Sequence, residues 1–362
     1  MPSSKNVDAS FIFFKMSKLN IVVTGCLHGH WDELLDSIDG YNQSGTHIDF
    51  AIVAGDAQTF RTESDMESFA APQKYHLMGS FYKIFTGERV SPCPIIVVGG
   101  NHEASDLFLN LPFGGWIAPN VFYTGKANSI NVGSVSISCL SGIPDNDSYF
   151  RPCKEKYPLK GPKDIRTCYY PRAFSDFQLS GLFSTDLFVS HEWPSSIPSR
   201  YGGNYLKQRR NDIIQGDLKD SFGHKMGMHL INTLKPKYWF AAHHHLYFYA
   251  KINENTNFLA LPKPPKNDWS IIYNIEGTMG PIMYRGMWLS ILKATENEMK
   301  SPKILKGANW SDLWSQKLVD LTPFDDQEVD PYCVDPIQYT INFCKKYGIF
   351  CPAPHIQDQI MK

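Results

Sequence analysis

The sequence predicts an α/β fold. Six short apolar segments read as buried strands, and a segment of helical period follows the first of them. Each strand-like segment ends at or beside Gly, Asp, Asn or His. Open α/β sheets bind ligands beyond the carboxyl ends of their strands. Polar residues from Cys26 to His245 can therefore meet in space. The pattern alone does not say whether the strands form one sheet or two.

Residues 19–24, the first strand, run into Gly25-Cys26-Leu27-His28-Gly29-His30. Trp31, Leu34, Leu35 and Ile38 then share one helical face. The second strand, 50–54, ends at Gly55-Asp56. The third, 94–98, ends at Gly99-Gly100-Asn101-His102. The fourth, 135–139, stops just before Ser141-Gly142-Ile143. The fifth, 186–190, ends at His191. The sixth, 238–242, ends at His243-His244-His245.

Residues 144–172 interrupt this pattern and read as one long, basic loop rich in aromatics and proline. Loops of that length in compact domains are usually functional or disordered. Beyond about Pro262 the composition shifts. Residues 271–273 and 284–292 look strand-like, and 325–330 are acidic. The expected division is an N-terminal extension over 1–17, a catalytic domain over 18–265, and a smaller C-terminal domain over 266–362.

The 362 residues are 43% hydrophobic and 20% charged, which is ordinary globular composition. A formal charge of −1 excludes a basic protein that coats nucleic acid. It does not exclude a nucleic-acid substrate, because bound cations supply local positive charge. No apolar run reaches the roughly 18 residues that span a bilayer. The eight cysteines form no CxxC pair, which argues against a cysteine-based structural zinc site. With no secretory apolar segment, free thiols in a reducing compartment are expected.

The strand ends carry imidazoles, one lone carboxylate and an amide: His28, Asp56, Asn101, His102, His191, His243 and His245. Such donors suit zinc, iron and manganese. A carboxylate between two neutral sets can bridge two cations, and a two-metal site clamps both oxygens of a phosphoryl displacement. Taken singly, each is more simply a buried polar group bonded to backbone. Cys26 alone is more simply a small buried apolar residue.

Together, Cys26-x-His28, Gly55-Asp56, Gly100-Asn101-His102-Glu103, His191 and His243-x-His245 resemble the calcineurin-like metallophosphoesterase superfamily. That resemblance implies a two-sheet β-sandwich flanked by helices. Cys26 stands where the superfamily has Asp, and Ala242 where it often has Gly. A thiolate is a softer ligand that favours zinc or iron(II). Further matches point to the RNA lariat debranching enzymes. They are Gly55-Asp56-x-Gln58, Gly99-Gly-Asn-His-Glu-Ala-Ser105, Pro112-x-Gly114-Gly115-Trp116-x-Ala118-Pro119-Asn120, Ser190-His-x-Trp193-Pro194 and Tyr238-Trp-Phe-x-Ala-His243-x-His245. Cysteine in the first ligand position is a trait of that family.

The resemblance, over roughly residues 18–300, implies hydrolysis of the 2′,5′-phosphodiester at the branch of excised lariat introns by metal-activated water. It implies one or two divalent ions (Fe2+, Zn2+ or Mn2+). Cys26, His28, Asp56 and His245 would hold one; Asp56, Asn101, His191 and His243 would hold the other. His102 would be the catalytic proton donor or charge stabiliser. Residues 144–172 would be the lariat-recognition loop, with Asp147, Tyr149 and Arg166 as candidate RNA contacts. Trp193 fits the groove wall or the core equally well. His244 is expected to be structural or solvent-facing, and His47, His76, His224 and His229 at the surface. The implied partner is branched RNA, with no membrane. The chain is expected to be monomeric and mainly nuclear, with possible passage to the cytoplasm. A phosphatase or nucleotide phosphodiesterase, and a non-catalytic scaffold of the same fold, are the alternatives.

Overall fold

The computed structural model describes residues 17–361. The extension expected over 1–17 lies, Ser17 apart, outside them. Fourteen strands follow in chain order. They are β1 (Lys18–Thr24), β2 (Phe50–Val53), β3 (Ile95–Val97), β4 (Gly115–Ala118), β5 (Val121–Tyr123), β6 (Ala127–Val132) and β7 (Val135–Leu140). The rest are β8 (Leu187–Ser190), β9 (Tyr238–Ala241), β10 (Phe248–Lys251), β11 (Asn257–Ala260), β12 (Ser270–Glu276), β13 (Ile282–Tyr284) and β14 (Gln327–Glu328).

They form two sheets. One runs β12-β1-β2-β3-β5-β4 and the other β10-β11-β9-β8-β7-β6-β13-β14. The middle of each is parallel: β1, β2, β3 and β5 in the first, and β7, β8, β9 and β11 in the second. Parallel strands are covered on both faces, so they read as unbroken apolar runs. Side chains alternate between the faces. Ile21, Val23, Ile52 and Ile96 point into the core shared with Ile137, Val189 and Phe240 of the second sheet. Val22, Ala51, Val53, Ile95 and Val97 point the other way, onto Trp31, Leu34, Leu35 and Ile38 of the helix Trp31–Gln43. The α/β class is the one the strand pattern predicts, and the two-sheet sandwich with outer helices is the one the family resemblance implies.

The C-terminal boundary needs correcting. Residues 266–362 are not a separate smaller domain. β12 pairs along its whole length with β1, from Lys18↔Glu276 to Thr24↔Ser270. β13 pairs with β6. Trp288, Leu292, Trp314 and Phe343 belong to the same core as β1 and β9. The stretch 284–292 is also not a strand; Gly286–Ala294 is a helix with Trp288 through Leu292 buried. Nor is 144–172 a loop throughout. Its second half is the helix Gly161–Tyr169, with proline in its first turn, where a missing N–H loses nothing.

Candidate metal centre

The carboxyl ends of β1, β2 and β3 in one sheet meet those of β8 and β9 in the other. The loops leaving these strands hold Cys26 and His28, Asp56, Asn101 and His102, His191, and His243 and His245. One donor atom from each of Cys26, His28, Asp56 and His245 lies within 4.8 Å of the others. Asp56, His191 and His243 form a second such group. Asp56 is common to both. His28 Nε2 and His245 Nε2 are 3.0 Å apart across the two sheets.

Asp56 is fixed by backbone donors. Its Oδ1 accepts from the N–H groups of Asn101 (2.9 Å) and His102 (2.8 Å), so the third loop is docked onto the second. His191 Nε2 stands 3.2 Å from the same oxygen, and His28 Nε2 3.7 Å from Oδ2. Burial opposes ionisation of this carboxyl, but His191, His102 and His28 outweigh it and hold its pKa well below the ordinary range. His191 donates from Nδ1 to the Ala54 carbonyl at 2.9 Å, which turns Nε2 toward Asp56 and the Asn101 amide oxygen at 3.2 Å. The Gln58 side-chain amide lies 3.1 Å from His28 Nδ1 and orients that ring.

The donor set suits a divalent cation. Burial lowers the pKa of His28 and His243 to about 4 and of His245 to about 3, so these rings are neutral donors at pH 7. Burial and the charge of Asp56 push the Cys26 thiol well above its usual value. A bound cation would reverse that balance and favour thiolate. Cys26 is fully buried, and its Sγ accepts from the His243 N–H at 3.2 Å. His102 is in neither donor group. Its ring stands 5.7 Å from His28 and 5.6 Å from Phe69, and its buried Nδ1 has no hydrogen-bond partner.

Three residues that sequence reasoning gave little or no weight support this centre. Glu103 accepts from the N–H groups of Ala57, Gln58 and Gly100 and so ties two ligand loops together; burial and Asp56 raise its pKa to about 8. Glu192 accepts from His244 Nε2 at 2.8 Å and from the Trp193 N–H at 2.7 Å, and it lies 3.8 Å from His243. His244 thus faces away from the centre as a structural residue. Lys263 carries the positive charge that acts on Cys26, His28 and His245. Nothing in its local sequence marks it.

Three of the sequence-based assignments fail. Trp193 is fully buried, stacked on Phe248 and edge-on to Phe258, and its N–H donates to the Ala242 carbonyl. It is a core residue and not a groove wall. Tyr149 is no free stacking platform: its hydroxyl donates to Asp176 Oδ2 at 2.5 Å, and Asp176 also holds His224 at 2.7 Å. His224 is therefore buried rather than at the surface. Asp147 and Arg166 are exposed and stand outside the donor groups.

The calcineurin-like phosphoesterase family pattern matches residues 19–247. The chain is 35% identical to a lariat debranching enzyme of Danio rerio over 78% of its own length and 52% of the relative's. It is 36% identical to one of Arabidopsis thaliana, over 76% and 68%, and 33% identical to one of Homo sapiens, over 77% and 54%. It spans about half the length of most of the curated relatives it matches. By these matches the chain belongs to the calcineurin-like phosphoesterases and, within them, to the family of the lariat debranching enzymes.

Proposed function

We propose that the chain hydrolyses the 2′,5′-phosphodiester at the branch point of excised lariat intron RNA. The observation that supports this reading best is the complete pair of donor groups around Asp56, with Cys26 as the first ligand. Two divalent cations held there would supply Lewis acidity to the phosphate and acidify water near pH 7. Cys26, His28, Asp56 and His245 would hold one; Asp56, Asn101, His191 and His243 would hold the other. The softness of Cys26 favours zinc or iron(II) at the first position, and manganese suits the second.

The chain's own residues do the rest. Ionised Asp56 places one negative charge between the two groups. His191, turned by Ala54, presents Nε2 toward it. No side-chain hydrogen bond restrains the His102 ring, which lies beside His28, and it would pass a proton to the leaving 2′-oxygen or stabilise charge on the phosphate. Asp147 and Arg166 are exposed on the recognition segment and would meet RNA. The substrate assigns the chain to the nucleus, acting in intron turnover as a monomer.

A synthetic RNA with one 2′,5′ branch, beside a matched linear 3′,5′ RNA, tests the proposal on chelated protein and on protein reloaded with iron, zinc or manganese. Cleavage confined to the 2′,5′ bond and restored by metal is expected. Hydrolysis of a generic phosphodiester with neither RNA cut would keep the site and discard the substrate.

A further inference from the structure

A third donor group lies beside the two around Asp56. One donor atom from each of Glu192, His243 and His244 lies within 4.8 Å of the others. Glu192 and His244 belong to neither group around Asp56, and His243 is shared with the second of them. The group forms where the chain leaves β8 and β9 side by side, with the Ala242 N–H donating to the His191 carbonyl at 3.1 Å. Glu192 Oε1 stands 2.8 Å from His244 Nε2, and Oε2 stands 3.8 Å from His243 Nε2. Zinc sits about 2.0–2.2 Å from imidazole nitrogen and carboxylate oxygen, which puts neighbouring tetrahedral donors roughly 3.3–3.5 Å apart. The two observed distances straddle that value, so shifts of about 0.5 Å would seat the ion.

The donors are held in advance. The Trp193 N–H donates to Glu192 Oε1 at 2.7 Å. His244 is stacked on Phe222 and edge-on to Trp193, and its carbonyl accepts from Arg210 at 2.8 Å. Burial opposes ionisation of Glu192, but His244 and His243 outweigh it and hold its pKa down to about 2, so a carboxylate charge faces both rings. The side chains of His243 and His244 stay 23% and 13% exposed, which leaves a cation a way in and a water a place beside it. Two imidazoles, one carboxylate and a water make up a common open zinc set. His244 would carry its proton on Nδ1, so the cation would replace the proton that Glu192 accepts from Nε2. A neutral imidazole has one lone-pair nitrogen and one N–H. His243 therefore serves one cation at a time. A zinc ion beside Glu192 would leave the second position around Asp56 with Asp56, Asn101 and His191 alone.

We propose that Glu192, His243 and His244 form an inhibitory zinc site that takes His243 from the metal centre when zinc is in excess. The proposal rests on the metal-dependent hydrolytic reading of that centre and not on branched RNA as its substrate. The probe is zinc alone. Chelated protein is dialysed against buffered free zinc, bound zinc is counted by atomic emission, and hydrolysis of a generic phosphodiester is read at each step. The wild type should reach its highest rate with two equivalents. It should lose at least about 10-fold as a third binds, the lower bound for disturbing even an outer partner of a metal ligand. His244→Gln keeps an amide N–H for Glu192 but offers zinc no imidazole. It should bind one equivalent fewer than the wild type, and its rate should not fall below its own maximum as zinc rises. His47→Gln, at an exposed histidine elsewhere, should still bind the third equivalent and be inhibited by it. A wild type that stops at two equivalents, or keeps its full rate with a third bound, overturns the proposal without any variant. Inhibition that persists in His244→Gln overturns it too. So does a His244→Gln that binds its first two equivalents about 10–100-fold more weakly and loses none, which is the mark of an outer partner. A wild type that never cuts the diester, yet binds an equivalent that His244→Gln lacks, removes the hydrolytic reading and keeps the zinc site. A wild type that cuts the diester and takes no third equivalent keeps the reading and removes the site.

Discussion

Gly55→Ala should dismantle the centre without removing a ligand. Gly55 sits at φ +104°, and a Cβ there would fall 2.1 Å from His191 Nδ1 and 2.6 Å from its Cγ. Ordinary contact begins near 3.4 Å, so the ring must retreat by more than about 1 Å. The displaced atom is the one that donates to Ala54. Backbone strain costs about 1–3 kcal/mol. Overpacking costs about 1–3 kcal/mol more. An unpaired buried Ala54 carbonyl costs about 1–3 kcal/mol again. The sum is at least about 3 kcal/mol, a large share of the roughly 5–15 kcal/mol that holds such a domain together. Gly87→Ala is the control. It has φ +80° with nothing within 4 Å of its Cβ, so only backbone strain of about 1–2 kcal/mol applies. Urea unfolding of both variants measures the difference, and atomic emission measures retained metal. If the two variants unfold within about 0.5 kcal/mol of each other, below even the usual penalty for overpacking, and Gly55→Ala keeps full metal, the steric argument is wrong.

His102→Ala should lower kcat on branched RNA by roughly 100–10,000-fold with bound metal unchanged, the range for losing a positioned proton donor; loss of metal would make His102 a ligand. Trp193→Ala should destabilise by about 3–5 kcal/mol in urea, because it empties a fully buried site. A loss of RNA affinity with stability unchanged would restore Trp193 to the groove. Iodoacetamide at pH 8 should label Cys153 and Cys333, which are partly exposed, and spare Cys93, Cys139 and Cys168, whose thiols burial pushes up to about 12. At pH 8, well below that value, these groups stay protonated and unreactive. Mass spectrometry finding Cys139 labelled as fast as Cys333 would contradict the burial. Cys26 is equally enclosed, so activity that survives alkylation does not argue against it as a ligand.

Six of the eight parallel strands were legible because both their faces are buried, which leaves an unbroken apolar run that stops where the chain turns into a polar loop, whereas the short β5 and β11 were not read as strands. The helix Gly286–Ala294 escaped for the same reason. Trp288 through Leu292 are buried, so no polar stripe betrays the helical period. β12 was glimpsed as an apolar triplet, but its partner lies more than two hundred residues away, and pairing at that distance leaves no local mark. Aromatic content also says nothing about direction. Trp193, beside a ligand motif, fitted groove wall and core equally, and Tyr149 was placed near RNA because its segment is rich in aromatic rings. Their polar atoms found partners inside the protein, on Ala242 and Asp176. Asp176 itself carried no motif, so neither Tyr149 nor His224 could be placed from sequence.

The spacing of the motifs has a backbone cause. His28, Asp56, Gln58, His243 and His245 all have φ between 48° and 59°, in the left-handed region that non-glycine residues seldom occupy. Each such residue costs on the order of 1–3 kcal/mol, and five of them amount to a sum comparable with the stability of a whole domain. They persist because the strands leading into these loops are fully packed and the loops are tied to one another. Asp56 accepts from Asn101 and His102, Glu103 accepts from Ala57, Gln58 and Gly100, and Cys26 accepts from His243. The two HxH and CxH spacings put a left-handed residue at a ligand position. That conformation ends the strand's alternation and bends the imidazole toward the gap between the sheets. His244 continues outward to Glu192. Packing of the sandwich thus offsets the strain and keeps donors from five separate loops within reach of one another.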